Sequence, residues 1–404
     1  MIRPTHVPDG LVIEYDTFGA EQISDVQGVA QRWRDQMGEV VWTDRHGGHW
    51  LVLSAEGCRA GLTDTSMFDS SSRGVKLVGL LDERERMVPI ELDGAEHSEY
   101  RRMLNPLFSP ARMRLLDERV REAGRELIAK FVDNGRCEVV SEFARPLASS
   151  MFLNLVDWPI EDREKLEHWV ELELNGIPGQ SEQENLATQA DAIAKIAAYS
   201  MKQIEDRTKN PRDDMTTLLM NTQVNGEALP PNRVIGLLML LMIAGLDTTQ
   251  SVTSQGVELL ALRPHLQDQI RLHPERLPMV VEEILRWSGP AGPNRSVVRD
   301  LEFCGIEMKR GDRVTFMCPV ANRDADEFAD PQQIDFEREV NRHMTFGLGP
   351  HKCIGAALAR TILVGAMDEF HRALPTYSLE SSTSHLGGVW GMTTVNVTWE
   401  DRDQ

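Results

Sequence analysis

The sequence predicts a mainly α-helical fold with a small β-sheet region, and three observations carry that prediction. Long amphipathic stretches dominate the chain, short runs rich in β-branched and aromatic residues sit among them, and one uncharged apolar run covers 234–246. The amphipathic stretches run roughly over 110–132, 162–174, 184–206, 231–263 and 274–287, each bounded by proline, glycine or asparagine, which start or stop helices. One hairpin is expected where 39–43 and 49–53 flank His46-Gly47-Gly48. A second is expected through 301–304 and 313–317, with Gly311-Asp312 as turn chemistry. The segment 175–180, Asn-Gly-Ile-Pro-Gly-Gln, interrupts the helical pattern and reads as a connection able to serve as a lid.

Composition bounds the class. The 404 residues are 41% hydrophobic and 26% charged, far from the low hydrophobicity of disordered chains. No repeat, low-complexity tract or linker interrupts them, so 1–404 is expected to form a single domain. The run 234–246 is shorter than the roughly 20 residues that span a bilayer, and reads as a buried helix. The N-terminal stretch places proline, aspartate and glutamate where a secretory signal needs an apolar core, so a cytoplasmic protein without a membrane anchor is expected. Five scattered cysteines, none in a Cys-x-x-Cys pair, speak against zinc clusters and a disulfide framework. A net charge of −20 disfavours nucleic acid and anionic lipid as partners.

The most informative stretch is Phe346-Gly-Leu-Gly-Pro-His-Lys-Cys353-Ile-Gly355, a glycine-rich loop running into a helix-forming segment. Unpaired N–H groups at a helix start lower a thiol pKa and hold a thiolate. Gly347, Gly349 and Gly355 would let the backbone pass close to a flat cofactor. The spacing meets neither the P-loop nor the dinucleotide fingerprint. An isolated cysteine is more often buried and inert, but the whole string Phe-x-x-Gly-x-x-x-Cys-x-Gly resembles the haem-binding signature of the cytochrome P450 family. That resemblance implies a fold with haem b between a long central helix and the cysteine loop, Cys353 as the axial ligand of the iron, and Phe346 and Gly347 beside it.

Further segments follow in the family's order. Glu283 and Arg286, by spacing only an i,i+3 pair, match the family's Glu-x-x-Arg, whose charges brace the cysteine loop. Ala244-Gly245-Leu246-Asp247-Thr248 lies in the most apolar helical stretch, where an acid and a hydroxyl are out of place. A helix end capped by Asp247 is one reading. The other is the family's oxygen-activation motif, with Asp247 relaying protons and Thr248 holding bound oxygen. His97 and Arg101 share a helical face by their spacing of four and, with Arg295 and His351, match the family's contacts to the haem carboxylates.

The resemblance implies a monooxygenase that inserts one atom of O2 into a small hydrophobic substrate, a terpenoid or aromatic compound. Its electrons would come from NAD(P)H through a ferredoxin reductase and a [2Fe-2S] ferredoxin. Leu240, Ile243 and Ala244 recur at helical spacing, and the resemblance adds Ala291, Val389 and Trp390 as pocket residues. A plain core stripe is the competing reading of the first three. Arg102, Arg112 and Lys352 are expected to receive the ferredoxin, with Arg114, Arg342 and Arg360 nearby. The rival functions are a peroxide-driven haem-thiolate peroxygenase and a non-catalytic haem-binding or recruiting protein.

Overall fold

The computed structural model describes residues 3–18, 26–75, 87–177, 180–224 and 226–400. Its axis is the 31-residue helix Pro231–Ala261. Pro231 stands at a first-turn position, where its missing N–H costs nothing and its fixed φ suits the helix. Near its start, Val234, Leu237, Leu238 and Met242 are buried with Phe152, Ile196 and Leu219. Near its end, Val252, Val257, Leu259 and Leu260 are buried with Ile362, Leu363 and Phe370. Each such side chain contributes on the order of 1.5–3 kcal/mol by leaving water.

The helix is long and apolar enough to cross a membrane, more than the run 234–246 alone suggests. Within the fold it packs against Arg145–Val156, Glu182–Lys209, Ala356–Ala373 and the strand Gly391–Trp399. Because the two apolar clusters hold its ends, its middle turn is positioned without being filled in.

The expected first hairpin pairs Val40–Thr43 with His49–Val52 in antiparallel register, Val41 opposite Leu51. These strands are buried on both faces because they form one side of a five-stranded sheet. Arg313–Phe316 joins them in parallel, Asn294–Val297 follows antiparallel, and Phe68–Asp69 closes the far edge. The sheet therefore fixes Arg295 opposite Val314.

The second hairpin differs from expectation. Leu301–Phe303 pairs with Ile306–Met308 about Cys304 and Gly305, both with positive φ. The Gly311-Asp312 turn lies downstream, where Asp312 closes onto Lys309 through two hydrogen bonds. Arg313–Phe316 is then free to enter the larger sheet.

The expected helix over 110–132 is two, Pro110–Arg114 and Asp117–Ile128. The stretch 274–287 opens with a 3-10 turn, Pro274–Arg276, before Leu277–Ser288. A sheet not foreseen pairs Tyr377–His385 with Gly391–Trp399 and Arg136–Glu138. The break at 175–180 begins at Gly176, φ +65, after the helix Arg163–Asn175, but Pro178 and Gly179 lie outside the described residues.

Candidate functional site

A cavity of about 440 Å3 lies between the middle of the central helix and the loop that carries Cys353. Phe346, Gly347, Leu348, Cys353, Ile354 and Gly355 line one wall, and Leu240, Leu241, Ala244, Gly245, Thr248 and Thr249 line the other.

Cys353 stands at the turn before the helix Ala356–Ala373, whose N-cap is Gly355. Its N–H donates to the Phe346 carbonyl at 2.7 Å, closing the loop on itself. Its side chain is exposed into the cavity, yet surrounding protein desolvates the thiol and pushes its pKa up. The N–H of Gly355, the charges of Arg101 and Arg360, and the N–H of Ala356 oppose that rise. The helix start therefore acts in the expected direction, but burial wins for the bare thiol. A bound cation reverses the balance, because a metal-ligating thiol is deprotonated outright.

The glycines have separate jobs. Gly347 and Gly355 line the cavity, and a side chain at Gly347, φ +63, would meet open space. A Cβ on Gly349, φ +67, would fall 2.4 Å from the Leu62 carbonyl oxygen. That glycine therefore serves the packing of the loop against the helix Ala55–Thr63, not a cofactor.

Behind the loop, Glu283 and Arg286 are fully buried. Arg286 donates to both Glu283 oxygens, at 2.9 and 2.7 Å, and to the carbonyls of Asn322, Pro331 and Gln333. Glu283 also accepts from Asp335 N–H, Arg338 and Asn341. Burial alone would raise the Glu283 pKa; Arg286 leads the groups that hold it below the usual range. Asn322 passes the order on: its Oδ1 accepts Met344 N–H at 2.7 Å and its Nδ2 donates to Thr345 Oγ1 at 2.9 Å. Thr345 in turn donates to the Leu285 carbonyl, fixing the start of the cysteine loop to the Glu283 helix.

Asp247 lies mid-helix, so it is not an N-cap. Thr248 and Thr249 line the cavity and Asp247 does not. Burial pushes Asp247 up to about 6, with Arg145 opposing and Glu171 adding. Arg145 donates to Gln250 at 3.0 Å and stands 3.7 Å from Glu171. The acid is thus placed between the cavity-lining threonine and a charged pair at the outer side of the helix. Thr248 Oγ1 donates to the Ala244 carbonyl at 2.6 Å.

Four basic side chains gather at the cavity: His97, Arg101, Arg295 and His351. The His97 and His351 rings lie 4.1 Å apart, and His351 Nε2 meets Asp93 at 3.0 Å. Burial, His351 and Arg101 bring His97 down to about 4. Arg295 is 7% exposed and donates to its neighbour's carbonyl, that of Asn294. Among the described residues, neither Arg101 nor Arg295 has an acidic side chain in ion-pair range. A buried Arg295 and a half-buried Arg101 in that state call for an anion, and desolvation lowers both pKa values. A flat group bearing carboxylates on one edge, with a metal facing Cys353, meets all of these demands, so the residues fit haem.

Ala291 lines the cavity with Leu240 and Ala244, but Ile243, Val389 and Trp390 do not. Trp390 is buried beside Ile13, Tyr15 and Met317, and its N–H donates to the Pro290 carbonyl. Gly388 takes the wall position expected of its neighbours. Arg102 is exposed and paired with Glu99, Arg112 is half-buried on a helix packed against Ala356–Ala373, and Lys352 is exposed. Arg360 instead makes two bonds to Glu282. Sequence reasoning missed Asn322, Thr345 and the Arg145–Glu171 pair, none of which belongs to a local motif. It missed Glu282 too, although Glu282-Glu283 is legible as a doubled acid.

The cytochrome P450 family model matches residues 178–370. A Sinorhizobium fredii protein named "Probable cytochrome P450 127A1" is 31% identical over 98% of this chain and 96% of its own length. The methyl-branched lipid omega-hydroxylase of Mycobacterium tuberculosis is 32% identical over 77% of this chain and 74% of its own. The crystal structure of CYP101J2 superposes with a TM-score of 0.88 at 27% identity, covering 99% of this chain and 100% of that one. With its loop cysteine, buried Glu-x-x-Arg pair and long central helix, the chain belongs to the cytochrome P450 family.

Proposed function

We propose that this haem b monooxygenase acts on a small hydrophobic substrate, a terpenoid or aromatic compound, with electrons from NAD(P)H delivered by a ferredoxin reductase and a [2Fe-2S] ferredoxin. The observation that carries the substrate class is the cavity wall. Among the described residues it has no acidic side chain, and its cationic groups gather where haem carboxylates would sit. What remains is mostly leucine, isoleucine, valine, alanine, phenylalanine, proline and glycine, which recognise apolar shape, with Asn294 and the hydroxyls of Thr248, Thr249 and Thr345 as its few polar groups. The relative named for a methyl-branched lipid supports an apolar substrate.

When bound, the haem supplies oxygen activation, with one atom of O2 entering the substrate. Cys353 would hold the iron, with Gly355 and Ala356 N–H groups steadying its sulfur. Arg101, Arg295, His97 and His351 would hold the carboxylate edge, and Phe346 and Gly347 would flank the ring. Asp247 would take protons from the solvent side near Arg145 and Glu171, and Thr248 would present a hydroxyl where they are needed. Glu283 and Arg286 would keep the loop in place. An acid and an alcohol side by side on this helix favour O2-driven turnover over peroxygenase or non-catalytic roles.

Arg102, Arg112 and Lys352 would meet the ferredoxin. All five cysteines are free, which supports a reducing, cytoplasmic setting. The test is reconstitution with ferredoxin, reductase and NAD(P)H under 18O2, against a panel of apolar compounds chosen by their ferric spin-state shift. Single-atom 18O incorporation into a terpenoid or aromatic is expected. Label-free product, or turnover only with peroxide, would contradict the proposal.

A further inference from the structure

Glu282 precedes the buried Glu283 and, about 100° further round the helix, faces a different set of partners. Its carboxylate accepts from Arg360 Nε at 2.5 Å and Nη2 at 2.8 Å, and from His343 Nε2 at 3.0 Å. Burial would raise Glu282; Arg360 and His343 bring it to about 2, so it is a fixed anion.

The three residues converge on the cysteine loop. The Arg360 guanidinium lies 4.5 Å from the centroid of the Phe346 ring, and the His343 ring lies 5.9 Å from it. His343 Nδ1 accepts Thr345 N–H at 3.3 Å. Phe346 then accepts the Cys353 N–H, and the Arg360 charge is felt at the Cys353 sulfur. A cation, its counter-anion and an aromatic ring therefore adjoin the cysteine, separate from the Glu283–Arg286 brace.

We propose that Glu282, Arg360 and His343 form a charge-balancing unit that sets how strongly the Cys353 thiolate donates to the haem iron. Arg360 is the positioning cation, and Glu282 sets how much of its charge the sulfur feels. This rests on the haem-thiolate reading of Cys353. Outer groups of this kind tune potential through hydrogen bonding and local charge.

The opposite signs of the two charges make the idea testable. A nearby cation favours the ferrous state, so removing it lowers the ferric/ferrous midpoint potential; removing the anion raises it. Spectroelectrochemical titration of the substrate-free holoenzymes should show Arg360→Met shifted negative, Glu282→Gln shifted positive, and the double variant near wild type. Arg360→Lys, which keeps the charge, should also stay near wild type. A unit that merely braced the loop would move both single variants the same way, or neither, and either result overturns the proposal. Should Arg360→Met lose its haem, Glu282→Gln decides alone: an unchanged or lower potential overturns it. The reduced wild-type carbon monoxide spectrum is recorded first, because loss of its thiolate band would instead defeat the reading of Cys353.

Discussion

The Thr248 hydroxyl donates to the Ala244 carbonyl across one turn of the central helix, at 2.6 Å, and both residues line the cavity facing Cys353. A threonine bonded back to the i−4 carbonyl weakens the local helix ladder and leaves a hydroxyl oxygen free to accept from water. Thr248→Ala should therefore lower product per NAD(P)H consumed, because a positioned proton-transfer group is lost, with the missing equivalents recovered as hydrogen peroxide. Product and peroxide assayed together check this. Full coupling in the variant would contradict it.

Asp247 is held up to about 6 by burial, so the folded state binds its proton more tightly than the unfolded chain, where the ordinary value is 3.8. Stability from this group is fully present below about pH 4, falls as pH rises to about 6, and is then flat. Asp247→Asn should raise the holoenzyme's stability at pH 8, on the order of 1–3 kcal/mol, and leave it unchanged at pH 4. The same variant should slow turnover about a hundredfold. Denaturation midpoints at the two pH values and steady-state rates check both effects.

Glu283 closes a buried network, and removing one charge strands the other. Glu283→Gln should destabilise the fold by about 3–5 kcal/mol and release the haem, because the Asn322, Met344 and Thr345 contacts depend on Arg286 staying in place. Haem content after purification, with chemical denaturation of the apoprotein, measures it.

The parts of this molecule written in contiguous residues were legible beforehand. Cys353, Asp247 and Thr248 stand in local strings, and the central helix announces itself by an apolar run with prolines at its start. The parts built by distant pairing were not. Asn322 matters because it joins 286 to 344–345, and nothing around it marks it. The strand Tyr377–His385 is mostly exposed and serine-rich, so it lacks an apolar alternation. Its partner shows one weakly, through Met392, Val395 and Val397. Arg313–Phe316 pairs with His49–Val52 and Asn294–Val297 and not with Leu301–Phe303, because turn chemistry locates a reversal without saying which strand follows in the sheet.

Arg112 sits on a short helix packed against the helix that follows Cys353. Arg112→Glu should slow first-electron transfer from ferredoxin roughly tenfold at low salt. The difference should shrink as ionic strength rises and screens the attraction. Stopped-flow reduction at several salt concentrations checks it; equal rates at all of them would remove Arg112 from the docking surface.

Everything proposed for this site depends on Cys353 ligating the haem iron through its sulfur. The direct measurement is the absorption spectrum of the purified, reduced protein under carbon monoxide, for the wild type and Cys353→His. The wild type should show the red-shifted Soret band of a thiolate-ligated haem, and the variant should lose it while still binding haem. A wild-type protein that binds no haem, or a variant that keeps the band, would contradict the account.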